Sequence, residues 1–319
     1  GSVLYGDGAV GGVINIVTKS PAKRPDSADI EYAIAQQQRH EINMSASQSR
    51  GPYSLNLSSN FVKANGFRDN NNLLQRNALG QLRYTGGRGE AFIKLGGDFQ
   101  SLGLPGARLI DRGTGTDEFV SARNEATTPI DKALQNGLRL GLGLTRELSN
   151  GTEVIVDGGL RKKDQDSFIN DNTGGGFNQT IDTELTTWSL TPRANLDWML
   201  NGRDHQSIVG VDFYYADYDS DRSRNRNEAP VHRYLAHQTT FGLYGQDDFK
   251  LSDVLTAQVG GRFIWNKFSG GDEFNPNAPG ANGFVGKRET TGAVNGYYLY
   301  NIGLEYKIAQ NLAVFGRTG

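Results

Sequence analysis

From Gln135 to Leu148 the chain reads QNGLRLGLGLTREL. Leu138, Leu140, Leu142 and Leu144 share one parity, and Arg139, Gly141, Gly143 and Thr145 share the other. A helix would scatter these leucines around its circumference, whereas a strand sets all four on one face. After Ser149-Asn150-Gly151 the alternation resumes, with Val154, Val156 and Leu160 opposed to Asp157 and Arg161. Asn-Gly between two alternating segments is a hairpin signal. The same period runs through Tyr53–Phe61, Glu184–Leu200, Val209–Tyr215, Leu255–Trp265 and Tyr298–Ile308.

The period predicts about thirteen strands, near 28–37, 41–49, 53–63, 77–85, 90–100, 135–148, 152–163, 184–200, 206–218, 237–250, 255–268, 297–308 and 312–318. Several exceed the roughly 5–6 residues usual in soluble sheets. They suit the ~9–11 residues that a tilted strand needs to cross a bilayer.

The links sort by length. Short ones are expected at 50–52, 85–89, 149–151, 201–205, 252–254 and 309–311. Long ones are expected at 64–76, 101–134, 164–183, 219–236 and 269–296, alternating with the short ones after the second strand. Outer-membrane barrels have this asymmetry, with tight periplasmic turns and long extracellular loops. Phe213, Tyr214, Tyr215, Tyr218, Phe263, Trp265, Phe268, Tyr297, Tyr298 and Tyr300 cluster at long-link ends, where an aromatic girdle belongs. The expected fold is therefore all-β, a transmembrane antiparallel β-barrel. A soluble β-protein with aromatic core ends is the competing reading, and it leaves the sorting of loops by end unexplained.

Composition fits this. The 319 residues include 42 Gly, 10% aromatics and no Cys, with a mean hydropathy of −0.53. A disordered chain would lack the aromatics. No apolar run approaches the ~20 residues of a membrane helix. A barrel strand shows lipid only one face, so its average is polar. Lys+Arg of 33 against Asp+Glu of 35 leaves −2, too balanced for a nucleic-acid clamp. Absence of Cys removes disulfide frameworks, thiolate metal sites and Cys nucleophiles.

The first residues, GSVLYGDGAVGGVINIVTKSP, differ from the rest. Gly6-x-Gly8-x-x-Gly11 formally matches a dinucleotide fingerprint, but that motif needs a strand before it and a helix after it. Only five residues precede Gly6, and a β-branched run follows, so a Gly-rich turn entering a strand is the plain reading. LYGDGAVGGVINIVTK, with Leu4, Tyr5, Gly6, Gly11, Gly12 and Asn15, resembles the segment that closes the plug domain of TonB-dependent outer-membrane receptors. The stretches 242–263 and 301–319 resemble recurrent barrel hairpins of the same family.

The resemblance implies a bacterial outer-membrane receptor with a 22-stranded barrel around an N-terminal plug. It implies a ferric siderophore or similar iron complex as ligand and TonB as energy-coupling partner, reached through an N-terminal TonB box. Membrane lipid and lipopolysaccharide are the expected surroundings, and no cofactor, resident metal or nucleic acid is implied. Residues 1–22 are expected to end the plug and 23–319 to form a partial barrel. With some thirteen strands, little plug and no TonB box, the sequence is expected to be an internal fragment. A passive channel or adhesin without TonB coupling is the alternative, as is a receptor for haem, cobalamin or another nutrient.

Candidate chemistry is sparse. His205-Gln206-Ser207 invites comparison with barrel-wall lipid hydrolases, yet nothing in the sequence sets a base against a nucleophile, so no enzyme is expected. Asp219, Asp221, Asp247 and Asp248 match no calcium-loop spacing. Arginine and aromatic rims suit anionic chelates, because guanidinium presents several donors to carboxylate or catecholate oxygens. Arg68, Arg108, Arg112, His232 and Tyr234 are the loop candidates for ligand binding.

Overall fold

The structure, a computed structural model, describes Val3 and residues 26–149, 151–170, 178–283 and 286–319. The strands are β1 (Ser27–Ala35), β2 (Arg39–Arg50), β3 (Tyr53–Ala64), β4 (Leu73–Gly86), β5 (Gly89–Gly103), β6 (Ile110–Asp111), β7 (Thr116–Asp117), β8 (Lys132–Ser149), β9 (Thr152–Ile169), β10 (Gln179–Leu200), β11 (Arg203–Ser223), β12 (His232–Lys250), β13 (Leu255–Asp272), β14 (Glu289–Ala309) and β15 (Leu312–Thr318). A one-turn helix, α1 (Glu118–Ser121), follows β7. Among the described residues no helix is long and apolar enough to cross a membrane.

Thirteen strands form one sheet in chain order, β1 to β5 and then β8 to β15, every neighbour antiparallel. All thirteen expected strands are present. β6 and β7 make a separate ribbon inside the long β5–β8 connection. Tight turns follow from backbone demands: Asn201 and Gly202 both take positive φ (53° and 74°), as a two-residue hairpin turn requires.

The strands reach further than the hydrophobic period indicates. β10 has 22 residues, and β11 and β14 have 21 each. The long links shrink to 65–72, 104–131, 170–178, 224–231 and 273–288. The segments 164–169, 179–183, 219–223, 232–236, 269–272 and 289–296, expected in loops, are strand. On the outer wall they carry Asp164, Asp166, Asp182, Asp219 and Asp221. Where both strand faces meet water, the apolar alternation vanishes while backbone pairing continues. At the β1 edge of the sheet, residues 36–38 form a turn in which Gln37 and Gln38 take positive φ, so β1 stops at Ala35.

Register sorts the faces as expected. Ile30, Leu57, Leu95, Leu138, Trp188, Phe213 and Leu243 stand exposed on the apolar face, and Tyr298 is 80% exposed. The opposite face is polar. Asn60 Nδ2 donates to Asn43 Oδ1 at 2.7 Å, and Arg193 pairs with Asp157 at 3.1 Å. Gly143 stands opposite Phe92, and a side chain at 143 would enter the ring; Arg83 and Lys94 lie over that ring at 5.3 and 4.7 Å. Buried on this face is Arg262, 4% exposed, which bonds Asp212 at 2.6 Å and the carbonyl of buried Val3 at 3.3 Å.

Aromatic rings also collar the short-turn end, which the sequence reading did not anticipate. Tyr53 and Tyr84 meet at 5.3 Å. His205 is sandwiched by Trp198 at 4.7 Å and Phe249 at 5.5 Å. Such rings at both ends of an apolar band are the marks of a barrel seated between two interfaces.

Candidate functional site

At the long-loop end of the polar face, register brings four side chains from three strands together. Arg222 on β11 stands opposite His232 on β12, and Tyr234 stands opposite Asp272 on β13. His232 and Tyr234, two residues apart and so on one face, stack with ring centroids 5.6 Å apart and planes within 2°. The Arg222 guanidinium lies 5.8 Å from the centre of the Tyr234 ring. Phe274 closes against His232 at 5.2 Å, and Asp272 Oδ2 holds His232 Nδ1 at 2.8 Å.

Arg222, His232, Tyr234 and Asp272, with Gln179, Gly286, Lys287 and Glu289, line an open cavity of about 760 Å³. Two buried polar atoms there, Asp272 Oδ1 and Arg222 Nε, have no hydrogen-bond partner among the described residues. Burial pushes the Tyr234 hydroxyl above its usual value, and the Asp272 charge adds to this. A cationic guanidinium, a neutral phenol and a fixed imidazole can hold a bulky anionic group by charge and stacking. Among the described residues no cluster of three or more His, Asp or Glu is placed to hold a metal ion.

The other loop candidates lie elsewhere. Arg68 donates to the carbonyls of Gly106 at 2.6 Å, Pro105 at 2.8 Å and Glu125 at 3.1 Å, so it ties the 104–131 loop to the β3–β4 connection. Asn70 reinforces it through the carbonyls of Thr128 and Asp131. Arg108 bonds the Glu125 carbonyl and lies 3.7 Å from Glu118. Arg112 is exposed at the β6–β7 turn. Thus His232 and Tyr234 share a site, Arg68 and Arg108 share a loop anchor, and Arg112 stands apart. Asp272 escaped the sequence reading, since only register across β12–β13 reveals it, and so did Lys287, which reaches the cavity from the 273–288 link. The motif residues Leu4, Tyr5, Gly6, Gly11, Gly12 and Asn15 lie outside the described residues.

Ser207 donates to Asp247 and accepts from Trp198 Nε1 at 2.8 Å, while His205 sits between two aromatic rings. Base and nucleophile are not joined.

An antiparallel sheet with one membrane-type apolar wall, one polar wall and sorted loops defines the class: an outer-membrane-type barrel. Residues 36–319 match the family model described as TonB dependent receptor-like, beta-barrel, and the chain belongs to that family. A search of curated protein sequences finds no match. Among solved structures, the siderophore receptor PiuA from Acinetobacter baumannii aligns with a TM-score of 0.78 at 12% identity, over 99% of this chain and 52% of that one. The ferric yersiniabactin uptake receptor FyuA from Yersinia pestis aligns at 0.74 and 13%, over 99% and 50%. The pyoverdine receptor FpvA from Pseudomonas aeruginosa PAO1 aligns at 0.73 and 13%, over 92% and 46%. At these identities the likeness is one of fold. The chain spans about half the length of these structures.

Proposed function

We propose that this chain is the barrel portion of an outer-membrane active-transport receptor, which captures a ferric siderophore or similar anionic iron complex and imports it with energy from TonB. The carrying observation is the cavity among the long loops, where Arg222, His232 and Tyr234 meet on the polar face and Lys287, paired with Glu289 at 2.9 Å, joins the lining from the 273–288 link. Cations supply attraction for carboxylate or catecholate oxygens, and the Tyr234 ring supplies a stacking face. The relatives that share the fold include receptors whose own ligands are ferric citrate, ferric yersiniabactin and pyoverdine, which supports this ligand class. Binding, not bond chemistry, is the activity: the loops and the polar wall hold the complex, and movement of a plug opens the way inward. TonB would act through a plug of which residues 1–22 are the expected end.

The test is uptake of radiolabelled ferric complexes by cells carrying the intact receptor, with and without TonB. Uptake that needs TonB and falls at least ten-fold in Arg222→Gln/Tyr234→Ala supports the reading. Uptake independent of TonB favours a passive channel. Haem or cobalamin uptake without iron-chelate uptake reassigns the ligand.

A further inference from the structure

The charges that line the ligand cavity are balanced. Two are cations, Arg222 and Lys287, and two are carboxylates, Asp272 and Glu289. Lys287 Nζ pairs with Glu289 at 2.9 Å. Asp272, opposite Tyr234 across the β12–β13 register, holds His232 Nδ1 through Oδ2 at 2.8 Å. Its Oδ1 is buried and has no hydrogen-bond partner among the described residues. Such an oxygen repels other anionic oxygens and calls for an N–H or O–H donor. A polyanionic chelate therefore meets no net positive field here: what Arg222 attracts, Asp272 opposes.

Flat surface is what the cavity offers instead. Phe274, His232 and Tyr234 form a series of rings with centroids 5.2 and 5.6 Å apart, and the planes of the last two agree within 2°. At the Phe274–His232 end the backbone of Gly286 closes over the series. A Cβ there would sit 2.5 Å from His232 Cε1 and 2.8 Å from Phe274 Cδ2. His232 is 5% exposed and Tyr234 36%, so Tyr234 is the ring that shows a face to the open space. The Arg222 guanidinium, 5.8 Å from the Tyr234 centre, sets a second planar group beside it. Both tyrosine and guanidinium stack on aryl faces.

We propose that this cavity selects an iron chelate of low net charge that presents an aryl ring, over chelates that are polyanionic or wholly aliphatic. The ligand ring stacks on Tyr234, and Arg222 meets one anionic oxygen of the chelating group. The carboxylates Asp272 and Glu289 cancel any gain from further negative charge. The inference rests on the transport reading above and specifies the ligand within it.

The test is isothermal titration calorimetry of the full-length receptor in detergent, with ferric probes that separate charge from ring. A hydroxyphenyl-thiazoline complex is aryl and of low charge, and a tris-catecholate is aryl and polyanionic. The desferrioxamine B complex is aliphatic and of low charge, and the dicitrate is aliphatic and polyanionic. The hydroxyphenyl-thiazoline complex should bind about five-fold more tightly than each of the others, the scale of one aromatic stack. Tyr234→Leu, which keeps bulk and removes the ring, should erase its advantage over desferrioxamine B. Glu289→Gln, at an exposed position, should strengthen tris-catecholate binding by leaving Lys287 uncompensated. Equal or tighter binding of any other probe by the unaltered receptor overturns the selection, a comparison that needs no variant to fold. Binding of none of the four overturns it as well. In either case TonB-dependent uptake of a ferric complex still decides the transport reading by itself.

Discussion

Arg262 on β13 reaches past the whole width of β12 to place Nη2 2.6 Å from Oδ2 of Asp212 on β11. The residue it passes is Gly242, where an added Cβ would sit 2.5 Å from that same nitrogen. The pair is buried, at 3% and 10% side-chain exposure. Removing one partner of such a pair strands the other charge, at a cost of about 3–5 kcal/mol. Asp212→Ala should lower the temperature at which the intact barrel loses its heat-modifiable gel mobility, and Gly242→Leu should act in the same direction by displacing the guanidinium. Asp212→Ala combined with Arg262→Met should recover part of the loss. If the double variant is as weak as the two single losses added, the pair is not coupled.

Phe92 over Gly143 is a second place where a glycine supplies room. Here the neighbour is a whole aromatic ring, pinned between the Arg83 and Lys94 cations. Gly143→Val should cost roughly 1–3 kcal/mol by overpacking, read in the same gel-shift assay. Phe92→Ala in that background should relieve the clash, and the absence of any relief would show that the ring does not set the limit.

Arg68 serves the loop rather than a ligand. With its three carbonyl bonds gone, Arg68→Gln should speed proteolytic nicking between residues 104 and 131 several-fold, through local opening rather than global unfolding. Affinity for the iron complex should then fall mainly through a faster off-rate. Unchanged nicking would remove the anchoring role.

The loop-side exterior of β9–β11 should respond to pH. Burial, and then the charges of Asp166, Asp164, Asp219 and Glu184, push Asp182 above its ordinary carboxylate value. The folded rim thus binds protons more readily than the unfolded chain, and stability falls as pH rises from the unfolded value through the raised one. Asp182→Asn should slow amide hydrogen exchange in 179–186 at neutral pH, and the advantage should shrink as pH drops toward 4. An advantage that grows on acidification would reverse the sign of the argument.

The number of strands was legible because lipid and lumen impose opposite chemistry on alternate residues. Leu138 to Leu144 could be placed on one face without any coordinates. Strand ends were not legible: Asp219 and Asp221 face water on the exterior while Ser220 and Arg222 face the polar interior, so no alternation survives there. The site was half legible. His232 and Tyr234 announce themselves by residue type two positions apart, but Asp272 joins them only through the β12–β13 register. Arg68 and Arg108 carry the right chemistry for an anion, but they turn it on their own loop, Arg68 to three carbonyls and Arg108 to the Glu125 carbonyl and the Glu118 carboxylate.

A pleat with a two-residue period also makes each strand a reading frame. Deleting one residue at the middle of β12, near Thr240, would turn Phe241 and Leu243 inward and Tyr244 and Gln246 toward lipid for the remainder of the strand. The same deletion within 276–283 shifts no pleat, because that part of the link belongs to no strand. Natural variation in length should therefore gather in the long links and stop at strand edges, so that parity, rather than any single side chain, is what the barrel inherits.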